Sequence, residues 1–355
     1  MPSSAAHCGD RALGQPEPDN FRISLAGAMT ITVFYARDHE AYPDKVLLGG
    51  EVTNAPPGIP PHDVRVPWFG TRDYATNQYR DYVAGQFIWA GIDYLGETRW
   101  PTKGRPAYLL DTCGFRRLWS FYTQSLYSDE PIVSLAVRLP DPAPATGEFT
   151  PPAALAAHWN WPRDCRALAV YTFSNAATVE LLLNGRSLGV KRPAEAPDRI
   201  IIWDDVPNEP GTLKAVARGE GRIVVMDELK MAGKAVRLVL AQDHSSLLAN
   251  GEDLSNIEVR AVDAGGLTAL DNRSRVSFQS EGPAVIAAID NGDLSTAEAY
   301  QGISQCELRN GRALVIIRSQ RQPGLITLTA RSEGLQDATI SLEAQPAPEV
   351  PPMLP

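Results

Sequence analysis

Two short stretches of the chain bring together residue types that can do chemistry. In Lys45–Val52, KVLLGGEV, an apolar run ends in two glycines and Glu51. In Gln86–Glu97, QFIWAGIDYLGE, a second apolar run carries Trp89 and then meets Asp93 and Glu97. Each reads as a buried strand of a parallel sheet where it emerges at its carboxyl end, the end at which barrel enzymes keep their reacting groups. A carboxylate on the last residue of such a strand is rigidly aimed, as a nucleophile must be. An indole beside carboxylates suits a pyranose, whose C–H faces stack on an aromatic ring while its hydroxyls need fixed polar partners. Each residue also has a plainer reading, Glu51 as a solvated loop carboxylate and Trp89 as core.

The neighbouring segments must hold these two strand ends in place. Ser24–Val33 is small and β-branched and reads as a strand. Phe34–Tyr42 has helical spacing and stops at Pro43, which disfavours helix in the residue before it. A YPDK turn then feeds the strand at Val46–Leu48, and the loop NAPPGIPPHD after it is long enough to form part of a pocket rim. Arg72–Val83 reads as a helix leading into the strand at Phe87, and Leu109–Ser125 as a closing loop and final helix. A whole (β/α)8 barrel needs eight strands and about 250 residues, so these segments amount to the C-terminal part of one.

Beyond the proline-alanine segment from Leu139 to Leu155, which reads as a stiff linker or large loop, the hydrophobic period changes to two. Leu168–Thr172, Thr178–Leu183, Arg199–Trp203 and Thr212–Ala217 are short β-rich runs, and Asn184-Gly185 marks a type I′ hairpin. From Ala235 seven more runs follow: VRLVLAQ, NIEVRAVDA, VSFQS, AVIAAID, ALVIIRS, LITLTARS and ATISLEA. The expected fold is therefore mainly β: an incomplete barrel followed by two immunoglobulin-like β-sandwiches. The expected divisions are a disordered lead-in over 1–24, barrel over 25–128, a first sandwich over 129–232, a second over 233–346 and a disordered tail over 347–355.

Composition narrows the partners. The 355 residues are 44% hydrophobic and 8% aromatic with a formal net charge of -9, which fits a globular chain and disfavours nucleic acid or an anionic membrane. Four scattered cysteines without a C-x-x-C pair, and five histidines at 7, 39, 62, 158 and 244, suggest neither a disulfide framework nor a metal site. No metal or other cofactor is expected. Residues 1–24 lack the basic-then-apolar order of a signal peptide, so a cytoplasmic location is expected. His158–Trp161, HWNW, reads as strand packing or an aromatic sugar platform, with packing favoured; Asp290–Asp293, DNGD, has calcium-loop composition but reads as a tight turn.

Taken as a pair, LLGGE and FIWAGIDYLGE resemble the last two barrel strands of glycoside hydrolase family 2, the β-galactosidase and β-glucuronidase family. The likeness continues in order through DTCGFRR, HWNW, VELLLNGRSLG, EPGTLKAVA and IDNGD. It implies accessory sandwiches after the barrel and hydrolysis of a terminal β-glycoside with retention. By that resemblance Glu51 is the nucleophile, with Gly50 standing where the family usually has serine, and Trp89, Asp93 and Glu97 line the substrate site. Retention needs a second carboxyl about 5–5.5 Å from the nucleophile, and the resemblance puts that acid/base group on an upstream strand. Besides a carbohydrate substrate, the implied partners are a missing N-terminal part of the same enzyme or further copies of the chain. The competing expectation is a non-catalytic carbohydrate-binding or scaffolding chain built on the two sandwiches.

Overall fold

A computed structural model describes residues 21–24, 39–53, 82–105, 109–138, 155–162, 164–196 and 199–348. The first twenty residues, the loop NAPPGIPPHD, most of the expected helix at 72–83, nearly all of the proline-alanine segment and the last seven residues lie outside the described residues.

Three strands open the fold: β1 (Phe21–Ser24), β2 (Val46–Thr53) and β3 (Val83–Trp89). They form one sheet in that order, and all neighbours are parallel. β1 begins inside the stretch expected to be an unstructured lead-in, because Phe21–Ser24 finds a partner in Val46–Gly49. β2 continues five residues past the expected Leu48, through Glu51 to Thr53. A small antiparallel pair, β4 (Tyr94–Leu95) and β5 (Gly104–Arg105), follows β3. Helix α1 (Leu118–Tyr127) comes next.

The first sandwich comprises β6 (Val133–Arg138), β7 (Leu155–Ala156), β8 (Ala167–Ser174), β9 (Thr178–Leu183), β10 (Arg186–Lys191), β11 (Ile200–Pro207), β12 (Thr212–Gly219) and β13 (Arg222–Lys230). One sheet has the order β10-β9-β12-β13 and the facing one β11-β8-β6-β7. The hairpin at Asn184-Gly185 has positive φ at both residues, 50° and 80°, as a type I′ turn requires. Along β9, Val179, Leu181 and Leu183 face the core while the intervening residues are half-buried, the expected alternation. β6 departs from it and is buried on both faces. Leu118, Tyr122 and Leu126 recur one turn apart along α1 and belong, with Ala136, Tyr171, Phe173 and Ile200, to an apolar cluster between helix and sheet.

The second sandwich comprises β14 (Arg237–Gln242), β15 (Ser246–Leu248), β16 (Leu254–Val262), β17 (Arg275–Glu281), β18 (Ala284–Asp290), β19 (Gln305–Glu307), β20 (Arg312–Ser319), β21 (Gly324–Arg331) and β22 (Ala338–Gln345). Its sheets run β14-β16-β20-β18 and β15-β22-β21-β17-β19. Each of the seven expected runs is one of these strands; the two short ones, β15 and β19, were not expected. The two sandwiches join at Met231–Ala235. There the Asn160 amide donates to the Ala232 carbonyl and accepts from its N–H, at 2.8 Å each, and the Gly233 N–H donates to Asp263 at 2.7 Å.

Candidate active site

Because β2 and β3 are parallel, their carboxyl ends lie on one edge of the sheet, with Val52 opposite Ile88 and Thr53 opposite Trp89. Just before those pairs the register shifts. Gly49 pairs with Gln86 and Val52 with Ile88, so Gly50 and Glu51 together stand opposite Phe87. Two residues facing one is a bulge, a device that re-aims a side chain and is frequent beside active sites. For Glu51 and Trp89 the backbone is described, and their side chains lie outside the described set.

Past Trp89 the exit segment is knitted to itself by backbone bonds. Leu110 N–H donates to Gly91 O at 3.0 Å, Asp93 N–H to Leu110 O at 2.9 Å and Arg117 N–H to Leu109 O at 2.9 Å. This brings Arg117 to Asp93, and the guanidinium donates to a carboxylate whose side chain has no exposed surface. A charge that deep is tolerable only with such a partner.

Glu97, four residues on, has a different environment. It sits at the tip of the β4–β5 pair with Gly96, both at positive φ (50° and 92°), is exposed, and accepts the Tyr94 hydroxyl at 2.7 Å. Asp93 and Glu97 therefore do not form a pair. Trp100, on the same tip, is 78% exposed.

The exit segment also rests on the second sandwich. Lys103 N–H donates to Leu294 O at 2.7 Å, while its ammonium donates to Glu298 O at 2.9 Å and lies 3.9 Å from the centre of the Tyr300 ring. The Thr112 hydroxyl donates to Asp290 Oδ2 at 2.5 Å. Burial and the charges of Asp290 and Asp111 push the Cys113 thiol up, so it stays protonated. Asp111 caps its own turn, accepting the N–H groups of Cys113 and Phe115 at 3.0 and 2.9 Å; burial nonetheless raises its carboxyl above the usual range. Burial, with the charges of Asp290 and Asp293, pushes the Tyr300 phenol up to about 12.

DNGD is a turn, as expected: Asp290 Oδ1 accepts the N–H groups of Asn291 and Gly292 at 2.7 and 3.0 Å. Among the described residues no group of three or more His, Cys, Asp or Glu is placed to hold a metal ion. In HWNW, Trp159 is wholly buried and donates to Glu209 O at 2.8 Å, while the His158 and Trp161 rings pack at a 30° tilt with centroids 4.6 Å apart. A cleft of about 540 Å³ between the edge strands β10 and β11 is lined by Val190, Lys191, Arg192 and Ile200–Ile202. Its lysine is occupied by Ile202 O at 2.6 Å and the Trp203 ring, so the cleft is the open side of the first sandwich. Sequence reasoning missed Arg117, Thr112 and Asp290 as supports of the site. DTCGFRR and IDNGD stand out in the sequence, but their pairing is made only by the fold.

The fold is that of sandwich-bearing glycoside hydrolases. Residues 238–341 match glycoside hydrolase family 2 C-terminal domain 5, and residues 166–225 match a domain family of unknown function. A β-galactosidase of Bacteroides ovatus is 31% identical over 285 residues, covering 79% of this chain and 31% of that enzyme. A putative β-glucuronidase of Formosa agariphila is 26% identical over 59% of the chain and 19% of its own length. A family 2 glycosyl hydrolase structure from Bacteroides cellulosilyticus superposes with a TM-score of 0.77 at 28% identity, covering 90% of this chain and 40% of that one. The chain belongs to glycoside hydrolase family 2, whose C-terminal sandwich region it carries. It spans a third or less of the length of these curated relatives.

Proposed function

We propose that the chain supplies the nucleophile side of a retaining β-glycosidase acting on terminal β-galactosides or related β-glycosides. Glu51 attacks the anomeric carbon, Trp89 stacks on the sugar, Glu97 borders the substrate and Asp93 supports the wall through Arg117. Water then releases the glycosyl group from Glu51. The acid/base carboxyl comes from barrel strands other than β1–β3, supplied by a longer form of the chain or by a second polypeptide. The observation that carries this reading is the Gly50–Glu51 bulge at the end of a parallel strand, one pair before the Thr53–Trp89 rung. The galactosidase and glucuronidase relatives support the same chemistry.

The test is intact-mass analysis after incubation with a 2-deoxy-2-fluoro β-galactoside bearing an activated leaving group. Such a substrate needs little help from the acid and isolates the nucleophile. One label per chain, absent in Glu51→Gln, is the expected result. No label on the wild-type chain means that these residues alone do not form a competent half-site.

One observation favours a second reading, a carbohydrate-binding or scaffolding chain. The two sandwiches each enclose their own core, whereas the parallel sheet has three strands among the described residues. Amide protection confined to residues beyond about 130 supports that reading; protection reaching β2 and β3 opposes it.

A further inference from the structure

The DNGD turn of the second sandwich has no part in the activity as proposed, yet it meets the exit segment of β3. Asp290 and Thr112 are 178 positions apart in sequence and share a 2.5 Å hydrogen bond. The charge of the same Asp290 side chain acts on the neighbouring Cys113 thiol. From the sandwich side, the Arg309 guanidinium donates to Gly292 O and braces the turn. A Cβ on Gly292 would lie 2.5 Å from an Asp111 carboxylate oxygen, so the two turns meet too closely for any side chain there.

Residues 111–115 form a self-capped turn. Gly114 N–H donates to Asp111 O at 2.9 Å, Asp111 N–H to Phe115 O at 3.0 Å, and the Arg312 guanidinium lies 5.6 Å from the centre of the Phe115 ring. Two residues past Phe115 is Arg117, the partner of buried Asp93. The path from the second sandwich to the wall of the strand edge is thus short, polar and directional. Hydrogen bonds fix direction in a way that apolar contact does not.

We propose that Asp290 is a positioning residue for the strand-edge site: by holding Thr112 it sets the turn that delivers Arg117 to Asp93. This rests on the reading of that edge as substrate-facing. The second sandwich then acts as part of the site's scaffold, and Thr112 is its contact on the exit segment. Lys103, bonded to Leu294 O and Glu298 O, is a second anchor of the same kind.

The experiment compares wild type, Thr112→Val, Thr112→Ser and Lys103→Met in the full 355-residue chain, reading local amide exchange and the rate of fluoro-galactoside labelling. Thr112→Val removes the donor and leaves Asp290 with less than its complement of bonds. Exchange within 109–117 should quicken about tenfold, the scale of one hydrogen bond to a charged group, while β16 and β20 keep wild-type rates. Thr112→Ser should restore protection, and Lys103→Met should loosen 102–105 in the same local way. Labelling should slow in Thr112→Val and recover in Thr112→Ser. Wild-type exchange in Thr112→Val, failure of Thr112→Ser to restore it, or quickening spread through β16 and β20 would each overturn the proposal. If the wild-type chain takes no label, the proposed activity fails for this chain, and exchange still decides the role of Asp290 in holding the exit segment.

Discussion

The two sandwiches hold neighbouring stretches of chain by different physics. The first covers one sheet with α1, and the contact is apolar: Trp119, Tyr122 and Leu126 against Phe173, Tyr171 and Ile200. The second meets the exit segment with hydrogen bonds from Thr112 and Lys103. Their cores differ as well. The first is built round Trp159 and Trp203, each with its indole N–H bonded, to Glu209 O and to Thr172. The second is aliphatic, with Phe278 its one aromatic among the described buried residues. Apolar burial supplies free energy without direction, whereas hydrogen bonds add direction at modest net stability. The first sandwich therefore anchors, and the second aims.

The harshest way to break this comparison is Trp159→Ala, which leaves a large cavity and an orphaned Glu209 carbonyl. A loss of about 3–5 kcal/mol is expected. Chemical denaturation followed by exchange should show the first sandwich unfolding while β16 and β20 stay protected. If both melt together, they are one cooperative unit and the contrast is superficial.

Gly292→Ala comes next. It puts a Cβ against Asp111 at a φ of 72°, so a loss of about 1–3 kcal/mol is expected from overpacking and backbone strain. Limited proteolysis should locate the damage in the exit segment before either sandwich core.

Acid distinguishes the two sandwiches by sign. Asp227 on β13 accepts the Leu135 N–H of β6 at 2.8 Å, across the first sandwich, but burial dominates and raises its carboxyl. Its contribution is therefore fully present below the unfolded value and lost as pH rises through the folded one. Asp263, at the junction with the second sandwich, is held low first by the Gly233 N–H and then by the amides of Leu267, Gly265 and Gly266. Its contribution is present above the unfolded value and lost as pH falls through the folded one. Relative to Asp227→Asn, wild type should gain stability as pH falls from 7 toward 4. Relative to Asp263→Asn it should lose stability once pH drops below the ordinary aspartate range. Equal signs in paired denaturation curves would refute the assignment.

Thiol chemistry gives a milder test. Burial and nearby carboxylates push Cys306 up to about 12 and raise Cys113 as well, and the thiolate is the reactive form. Both should resist alkylation at neutral pH until the chain unfolds. The smallest effect is expected at the exposed Arg192–Glu195 pair, 3.3 Å apart: Glu195→Gln should change stability by no more than about 0.5 kcal/mol.

Much of this molecule is local in origin. Period-two runs place the long strands of the second sandwich, and Asn184-Gly185 places the β9–β10 hairpin of the first, because alternation and positive φ are properties of a few adjacent residues. β6 escaped that reading since both of its faces are buried, one by α1, and alternation vanishes when there is no solvent face. β13 escaped for the opposite reason: Ile223, Val224 and Met226 stay exposed on an edge strand, blurring the pattern. β1 needed β2 beside it to be a strand at all.

Of the candidate site, the sequence by itself determined the strand ends that carry Glu51 and Trp89, and the family to which they point. Only the tertiary structure decided that Gly50 and Glu51 share a bulge, that Asp93 is buried on Arg117 while Glu97 stands exposed, and that Asp290 reaches Thr112. These are pairings across 24 to 178 positions. A strand end is written in its own few residues, but a hydrogen bond between distant segments exists only once packing has paid the entropy of bringing them together.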